Sequence, residues 1–224
     1  KWYQNRQREQ NLAENYNAME QLMVDSAQQH LVGLTDTIIH RGTAENIREV
    51  FRKHFFEIYD IWKKGCNVLY VDLDVLFLKS YRVFDEYDKF LMFNYTSPKR
   101  TKDTHYKISI KNYFNCGIRY YPATMSENCW QIGFDMVANW NPNRWDSEQV
   151  IYNQMMWSQG VTLEQVHKPA LAYQFVNEQE ASNNNFNGIP LSEACAIHFH
   201  GTRSSAKRLD KMKAYRNESN TSQV

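Results

Sequence analysis

The chain lacks an excess of charge of either sign. Among its 224 residues, 26 are Lys or Arg and 25 are Asp or Glu, so the formal net charge is +1. A protein dedicated to nucleic acid usually carries many more cations than anions, because its cations neutralise phosphates. The charge balance therefore argues against a nucleic-acid partner.

Long apolar runs and closely spaced cysteines are also missing. No uncharged apolar stretch approaches the roughly 18 to 20 residues that cross a bilayer, and the first residues are not expected to form a signal peptide. The four cysteines stand far apart without a Cys-x-x-Cys pair, which predicts free thiols rather than a zinc knuckle or a disulfide framework. We predict no membrane span in this chain, and its compartment stays open.

The chain does have the apolar residues that one core requires. Hydrophobic residues make up 42% of the sequence and aromatic residues 14%, which argues against disorder. Helical and strand patterns alternate, and this predicts an α/β fold: a single domain with a central, mostly parallel sheet flanked by helices. We expect the domain over residues 1–211 and a frayed tail over residues 212–224.

Apolar spacing and turn residues predict where the elements lie. Helices are predicted over residues 4–30, 44–64, 128–139 and 147–159, and strands over residues 31–35, 67–78, 89–94, 117–121 and 196–200.

Two acids interrupt the most apolar of these strands. In a strand, Asp72 and Asp74 would point the same way about 6 to 7 Å apart, because side chains alternate between the two faces. Their repulsion would cost roughly 2 to 3 kcal/mol at an effective dielectric near 20, and a divalent cation would reverse the sign of that energy. Carboxylates suit Mg²⁺ or Mn²⁺. In the alternative, the strand ends at Asp72 and both acids are solvated turn residues.

A second chemical pattern stands near the end of the chain. His198 and His200 would project from one face of a strand, and a neutral imidazole is a good third ligand for manganese. Arg203 and Lys207 follow closely and could neutralise a diphosphate. The alternative is an exposed strand end or a hydrogen-bonded polar pair.

The strand Asn67-Val-Leu-Tyr-Val-Asp72-Leu-Asp74, after a helix that ends at Gly65, resembles the Asp-x-Asp strand of GT-A nucleotide-sugar glycosyltransferases. The resemblance is to the group of glycogenin and bacterial lipooligosaccharide galactosyltransferases, and to small glycosyltransferases of large algal viruses. Three further segments resemble family motifs in the expected order: Asn115-Cys-Gly117-Ile, Glu148-Gln149-Val-Ile-Tyr-Asn153 and His198-Phe-His200-Gly201. These matches extend over residues 31–207.

The resemblance implies a role for each matching residue. It makes Asp72 a contact to the nucleotide ribose and the metal, Asp74 the principal metal ligand, and His198, or else His200, the third protein ligand. Lys207, or else Arg203, would hold the diphosphate. Asn115, Glu148 and Gln149 would line the sugar and acceptor pocket, with Glu148 and Gln149 as the catalytic candidates. The chain departs from the family in having Glu148 where Asp is usual, Cys116 at the small-residue site, and no Lys-Pro-Trp after the last glycine.

The implied activity is Mn²⁺- or Mg²⁺-dependent transfer of a sugar from a nucleotide diphosphate donor, a UDP-sugar, to a glycan or protein hydroxyl. Two other functions stay open. The same acids fit a haloacid-dehalogenase-type phosphatase, with Asp72 as nucleophile and Asp74 as general acid and base. A sugar-nucleotide-binding module without activity is the third. For the second tier of residues, Asp146, Ser147 and Gln149 could merely cap a helix, and Asn115-Cys-Gly117 could be an ordinary turn.

Overall fold

A computed structural model describes residues 2–39, 47–82, 87–97, 101–103, 108–110, 113–139, 147–161, 175–177, 194–199 and 204–221. These residues form a mixed α/β fold, as predicted. The elements in chain order are α1 Trp2–His30, β1 Leu31–Val32, α2 Ile47–Trp62, β2 Val68–Val71, β3 Val75–Phe77, β4 Tyr81–Arg82, β5 Leu91–Ser97, β6 Thr101–Asp103, β7 Ile108–Ile110, β8 Tyr113–Tyr121, α3 Glu127–Ala138, α4 Ser147–Ser158, β9 Phe175–Asn177, β10 Ala196–His198 and α5 Ser205–Thr221.

The chain divides into two compact units. The first unit comprises Lys1–Thr35, Asp72–Val83 and Tyr173–Val224, and the second comprises Asp36–Val71 and Phe84–Ala172. Both units are assembled from segments that are far apart in the sequence. The single domain over residues 1–211 stays a prediction.

In the first unit, helices α1 and α5 pack together, and α1 also packs on β3. Strand β10 lies between β3, to which it is antiparallel, and β9, to which it is parallel. Met19 of α1, Ile197 of β10 and Met212 of α5 are buried in the shared core. The hydroxyl of Ser26 accepts a hydrogen bond of 3.2 Å from the backbone N–H of Phe77, which fixes α1 to β3.

In the second unit, β8 pairs antiparallel with β2 on one side and with β5 on the other. The core beside it is aromatic: Phe55 of α2 contacts both Trp130 of α3 and Tyr152 of α4. Gly133 lets these helices approach closely, because a Cβ atom there would lie 2.6 Å from Cζ of Phe55.

Two expectations from the sequence need correction. The strand predicted over residues 67–78 is two strands, β2 and β3, separated by a turn at residues 72–74. Residues 212–221, expected to belong to a frayed tail, continue helix α5, where Met212 is fully buried. The physical reason is that apolar side chains of α5 pack against α1, which holds the segment in place.

The strand pairs among the described residues are mostly antiparallel, with parallel pairs between β1 and β4 and between β9 and β10. The central, mostly parallel sheet therefore stays a prediction. Within the same residues, no helix has both the length and the apolar character needed to cross a membrane.

Candidate metal centre

Asp72 and Asp74 lie on a tight turn rather than on one strand face. Strand β2 ends at Val71, and the backbone N–H of Val75 donates a 3.1 Å hydrogen bond to the carbonyl of Asp72, which closes the turn. The prediction that both acids point the same way from one strand is therefore wrong. The alternative, in which the strand ends near Asp72 and both acids lie on a turn, describes the backbone correctly. That alternative also made both acids solvated, which is wrong for Asp74, because its side chain is only 6% exposed.

Antiparallel pairing of β3 with β10 brings His198 to these acids. His198 is the register partner of Val75, the residue that follows Asp74. The ladder continues one step further, because the N–H of Phe199 donates a 2.9 Å hydrogen bond to the carbonyl of Asp74. Residues more than 120 positions apart in the sequence are thus fixed side by side by backbone hydrogen bonds.

The three side chains have the spacing of a metal-binding site. Nε2 of His198 lies 3.2 Å from Oδ1 of Asp74 and 3.6 Å from Oδ2 of Asp72, and one ligand atom from each residue lies within 4.8 Å of the others. Ligands about 2.1 Å from an octahedral cation are about 3 Å apart when adjacent. Two carboxylates and an imidazole are also a donor set that suits manganese, and the two carboxylates are ligands that magnesium accepts as well. These residues therefore fit the divalent cation that the sequence predicts.

A cation of the chain itself contacts the same cluster. Nη1 of Arg208 lies 2.7 Å from Oδ2 of Asp74. Ser204 caps α5, since its hydroxyl accepts from the N–H of Lys207 at 3.4 Å and its carbonyl accepts from the N–H of Arg208 at 3.0 Å. This cap places Arg208 one turn into the helix and beside the acid.

The charges in the cluster stabilise each other. Burial alone would raise the pKa of Asp74, but His198 and Arg208 hold that pKa below its usual range. Burial alone would lower the pKa of His198, but the carboxylates of Asp74 and Asp72 raise it above the usual value. In the absence of metal, a protonated His198 and Arg208 can therefore balance both acids.

The residues predicted to bind the diphosphate, and the alternative metal ligand, follow His198 closely in the sequence. Lys207 is exposed on α5, whereas Arg208 contacts Asp74. Neighbouring residues of a helix point about 100° apart, so the two cations cannot face the same way. His200 and Arg203 are outside the described residues. Arg208 is a residue of the cluster that sequence reasoning missed, and Ser204, a favoured residue for a helix N-cap, was the signal that could have given the helical register.

The remaining predicted site residues belong to the second unit. Asn115 is buried within strand β8, where its Oδ1 accepts a 2.8 Å hydrogen bond from the N–H of Gly117, so the alternative of an ordinary turn at residues 115–117 is wrong. Gln149 is 9% exposed on α4. Asn153, also on α4, pairs with Phe114 of β8: it accepts from the Phe114 N–H at 2.9 Å and donates to its carbonyl at 2.7 Å. Asn153 also donates a 2.8 Å hydrogen bond to the backbone carbonyl of Gln149, so it ties helix α4 to strand β8.

Glu148 has a partner that the sequence analysis missed. Its Oε1 lies 3.5 Å from Nη1 of Arg119, whose side chain has no exposed surface. The guanidinium of Arg119 lies between the rings of Tyr70 and Tyr152, with its Cζ 3.8 Å from each ring centre. A charged residue inside the apolar strand Gly117-Ile-Arg-Tyr-Tyr was the available signal, of the same kind that singled out Asp72 and Asp74.

Searches against protein-family models and curated proteins find no match to this chain. Its function must therefore be argued from the chemistry of these residues.

Proposed function

We propose that this protein is a metal-dependent glycosyltransferase that moves a sugar from a nucleotide diphosphate donor, a UDP-sugar, to a hydroxyl of a glycan or protein. The proposal includes a GT-A fold and Mn²⁺ or Mg²⁺ as cofactor. The observation that carries it is the convergence of Asp72, Asp74 and His198 within ligand distance of one another.

Asp72, Asp74 and His198 would hold the cation through two carboxylates and one neutral imidazole. A bound divalent cation supplies positive charge opposite the diphosphate, whose negative charge grows as the sugar leaves. The turn and the β3–β10 ladder support such a role, because they fix all three side chains before any ligand arrives. Preorganised charge of this kind stabilises the transition state more than the ground state.

Basic side chains of the chain would also stabilise the negative charge of the leaving diphosphate. Lys207, or else Arg203, is proposed to bind it, as the family resemblance implies. Arg208 is a further candidate, because it already binds an anion, the carboxylate of Asp74. An arginine can offer several N–H donors, so it can contact Asp74 and a phosphate oxygen together.

Glu148 and Gln149 are proposed to act on the sugar, and Asn115 to line the same pocket. If the configuration is retained, Glu148 or Gln149 would stabilise the positive charge that develops at the anomeric carbon. If it is inverted, the Glu148 carboxylate would accept the proton of the acceptor hydroxyl. Glu148 stands in the first turn of α4 with its side chain 29% exposed, so a substrate can reach it.

Phosphatase activity is less well supported by the same residues. A haloacid-dehalogenase-type phosphatase needs a later acidic pair for its metal. Within the described part of the chain, the group that joins Asp72 and Asp74 contains His198 and no further acid. The histidine therefore favours the glycosyltransferase.

One incubation separates these possibilities. The full chain is given UDP-glucose with MnCl₂, or a phosphomonoester, and the release of UDP or phosphate is measured with and without EDTA. We expect slow, Mn²⁺-dependent release of UDP that is lost in Asp74→Asn. The matched control is Asp25→Asn, which breaks an ion pair with Arg216, one-third exposed, in the same unit. Equal turnover in wild type and Asp74→Asn contradicts the proposal; phosphate release supports the phosphatase, and binding without turnover supports the inactive module.

A further inference from the structure

Arg119 is a buried cation that has no role in the candidate metal site. Its side chain is completely buried on β8, and Nε, Nη1 and Nη2 have no hydrogen-bond acceptor among the residues that the structure describes. A buried charge is strongly unfavourable unless other groups compensate for it. The environment of Arg119 therefore indicates what the residue is for.

Two aromatic rings and one carboxylate provide that compensation. Tyr70 is the cross-strand register partner of Arg119, and Tyr152 comes from α4, so the planar guanidinium is held between two ring faces. Cation and ring face attract each other, most strongly when water is excluded. The rings fix the plane of the guanidinium, and its Nη1 lies 3.5 Å from Oε1 of Glu148.

The contact with Glu148 is electrostatic rather than a strong hydrogen bond, because 3.5 Å exceeds the usual N–H···O distance. The arginine is buried while 29% of the glutamate side chain is exposed. One partner is thus rigid and inaccessible, and the other can reach a ligand. This asymmetry is expected of a group that orients a reacting side chain.

We propose that Arg119 is a positioning residue that keeps Glu148 ionised and in one orientation for the reaction. This inference rests on the proposed glycosyltransferase function, in which Glu148 acts on the sugar. Among the described residues, the titratable groups that act on Arg119 include Tyr70, Tyr121, Tyr152 and Cys116. Burial raises the pKa of Tyr121 and of Tyr152, so both phenols stay neutral at physiological pH. Arg119 is then a permanent positive charge in contact with Glu148.

The first test measures Glu148 without any need for activity. Its carboxyl carbon is followed by ¹³C NMR during a pH titration and is identified by the loss of its signal in Glu148→Gln. Replacing Arg119 by Met keeps much of the bulk and removes the charge, and we expect the pKa of Glu148 to rise by about one unit, as for a carboxylate that loses an adjacent arginine. Arg119→Lys keeps a positive charge, so it should leave the pKa of Glu148 close to its wild-type value. An unchanged pKa in Arg119→Met overturns the proposal.

The second test is kinetic and uses both residues together. With UDP-glucose and Mn²⁺, Arg119→Met should lower kcat about 10- to 100-fold, with KM nearly unchanged, and move the acid limb of the profile to higher pH. In a Glu148→Gln background the same change should have little further effect on kcat. An equal loss in both backgrounds means that Arg119 is merely structural and overturns the inference.

Controls separate this inference from its foundation. Lys63→Met removes an exposed cation 5.2 Å from the ring centre of Tyr59 in the same unit, and should change neither readout. If Arg119→Met does not fold, as shown by circular dichroism, Arg119→Gln, which also removes the charge, carries both tests with the same expected results. If Glu148→Gln turns over as fast as the wild type, the proposed role of Arg119 is wrong, but the glycosyltransferase proposal is unaffected. If the wild type shows no turnover, the proposed function itself is refuted.

Discussion

Replacing Asp74 by alanine removes the acid at the centre of the candidate metal site. If Asp74 served only as a metal ligand, its loss would abolish metal-dependent turnover and leave the fold intact. The structure changes that expectation, because Oδ1 of Asp74 lies 3.2 Å from His198 and Oδ2 lies 2.7 Å from Arg208. Without the carboxylate, a cation and a buried imidazole lose their main anionic partner.

The size of the effect follows from burial. Removing one member of a buried ion pair typically costs about 3 to 5 kcal/mol. Arg208 keeps 23% of its side chain exposed and can still reach water, so the lower end applies, about 3 kcal/mol. For a chain of this length, this lowers Tm by roughly 6 to 12 °C. Asp25→Asn should cost about 1 kcal/mol or less, because the side chains of its ion pair are one-third exposed.

Thermal unfolding followed by circular dichroism, in EDTA at pH 6, measures this difference. Adding MnCl₂ should then raise the Tm of wild type and of Asp25→Asn but not that of Asp74→Ala, because binding to the folded state alone stabilises it. If Asp74→Ala has the same Tm as Asp25→Asn, the contacts of Asp74 with His198 and Arg208 do not stabilise the fold. If Mn²⁺ protects Asp74→Ala as well as it protects wild type, Asp74 is not a metal ligand.

Three further outcomes are expected. Asn153→Ala removes both hydrogen bonds to the backbone of Phe114 and should lower the free energy of unfolding by about 2 to 4 kcal/mol, measured by urea denaturation, because buried polar groups lose their partners. Gly133→Ala should cost about 1 to 3 kcal/mol in the same assay, because its Cβ would lie 2.6 Å from Phe55. The raised pKa of His198 stabilises the metal-free fold below the ordinary imidazole value of about 6.5, and this stabilisation is lost as the pH rises through the folded value. Thermal protection by Mn²⁺ should grow over the same range, since a bound imidazole must be neutral.

Each of these has its own control. Asn139→Ala removes an exposed hydrogen bond to a helix carbonyl, and Gln131→Ala an exposed side-chain contact in the same helix as Gly133; both should stay within about 1 kcal/mol of wild type. His198→Gln should flatten the pH dependence of metal-free stability. The hydrogen-bond argument is contradicted if Asn153→Ala destabilises the fold no more than Asn139→Ala does. The packing argument is contradicted if Gly133→Ala leaves the free energy of unfolding unchanged. The role of His198 is contradicted if the pH dependence of the stability of His198→Gln runs parallel to that of wild type.

Local patterns predicted the elements well where one face of a segment is apolar. The pattern over residues 44–64 predicts a helix, and α2 occupies Ile47–Trp62 within it. The acids Asp72 and Asp74 were also identified from sequence, because two charges inside an apolar run are costly wherever they lie. Their geometry was predicted wrongly, because periodicity cannot distinguish one long strand from two short strands joined by a turn.

The sequence by itself determined which side chains are candidates for the proposed chemistry: two acids and a late histidine stand out by residue type, and the Glu148-Gln149 pair enters through the resemblance to glycosyltransferase motifs. Only the tertiary structure decided which of them meet. Pairing of β3 with β10 sets His198 beside Asp74, the cap at Ser204 directs Arg208 and not Lys207 toward that acid, and β8 buries Arg119 against Glu148. Such contacts join residues far apart along the chain, and they depend on strand register and helix phase, which no local pattern specifies.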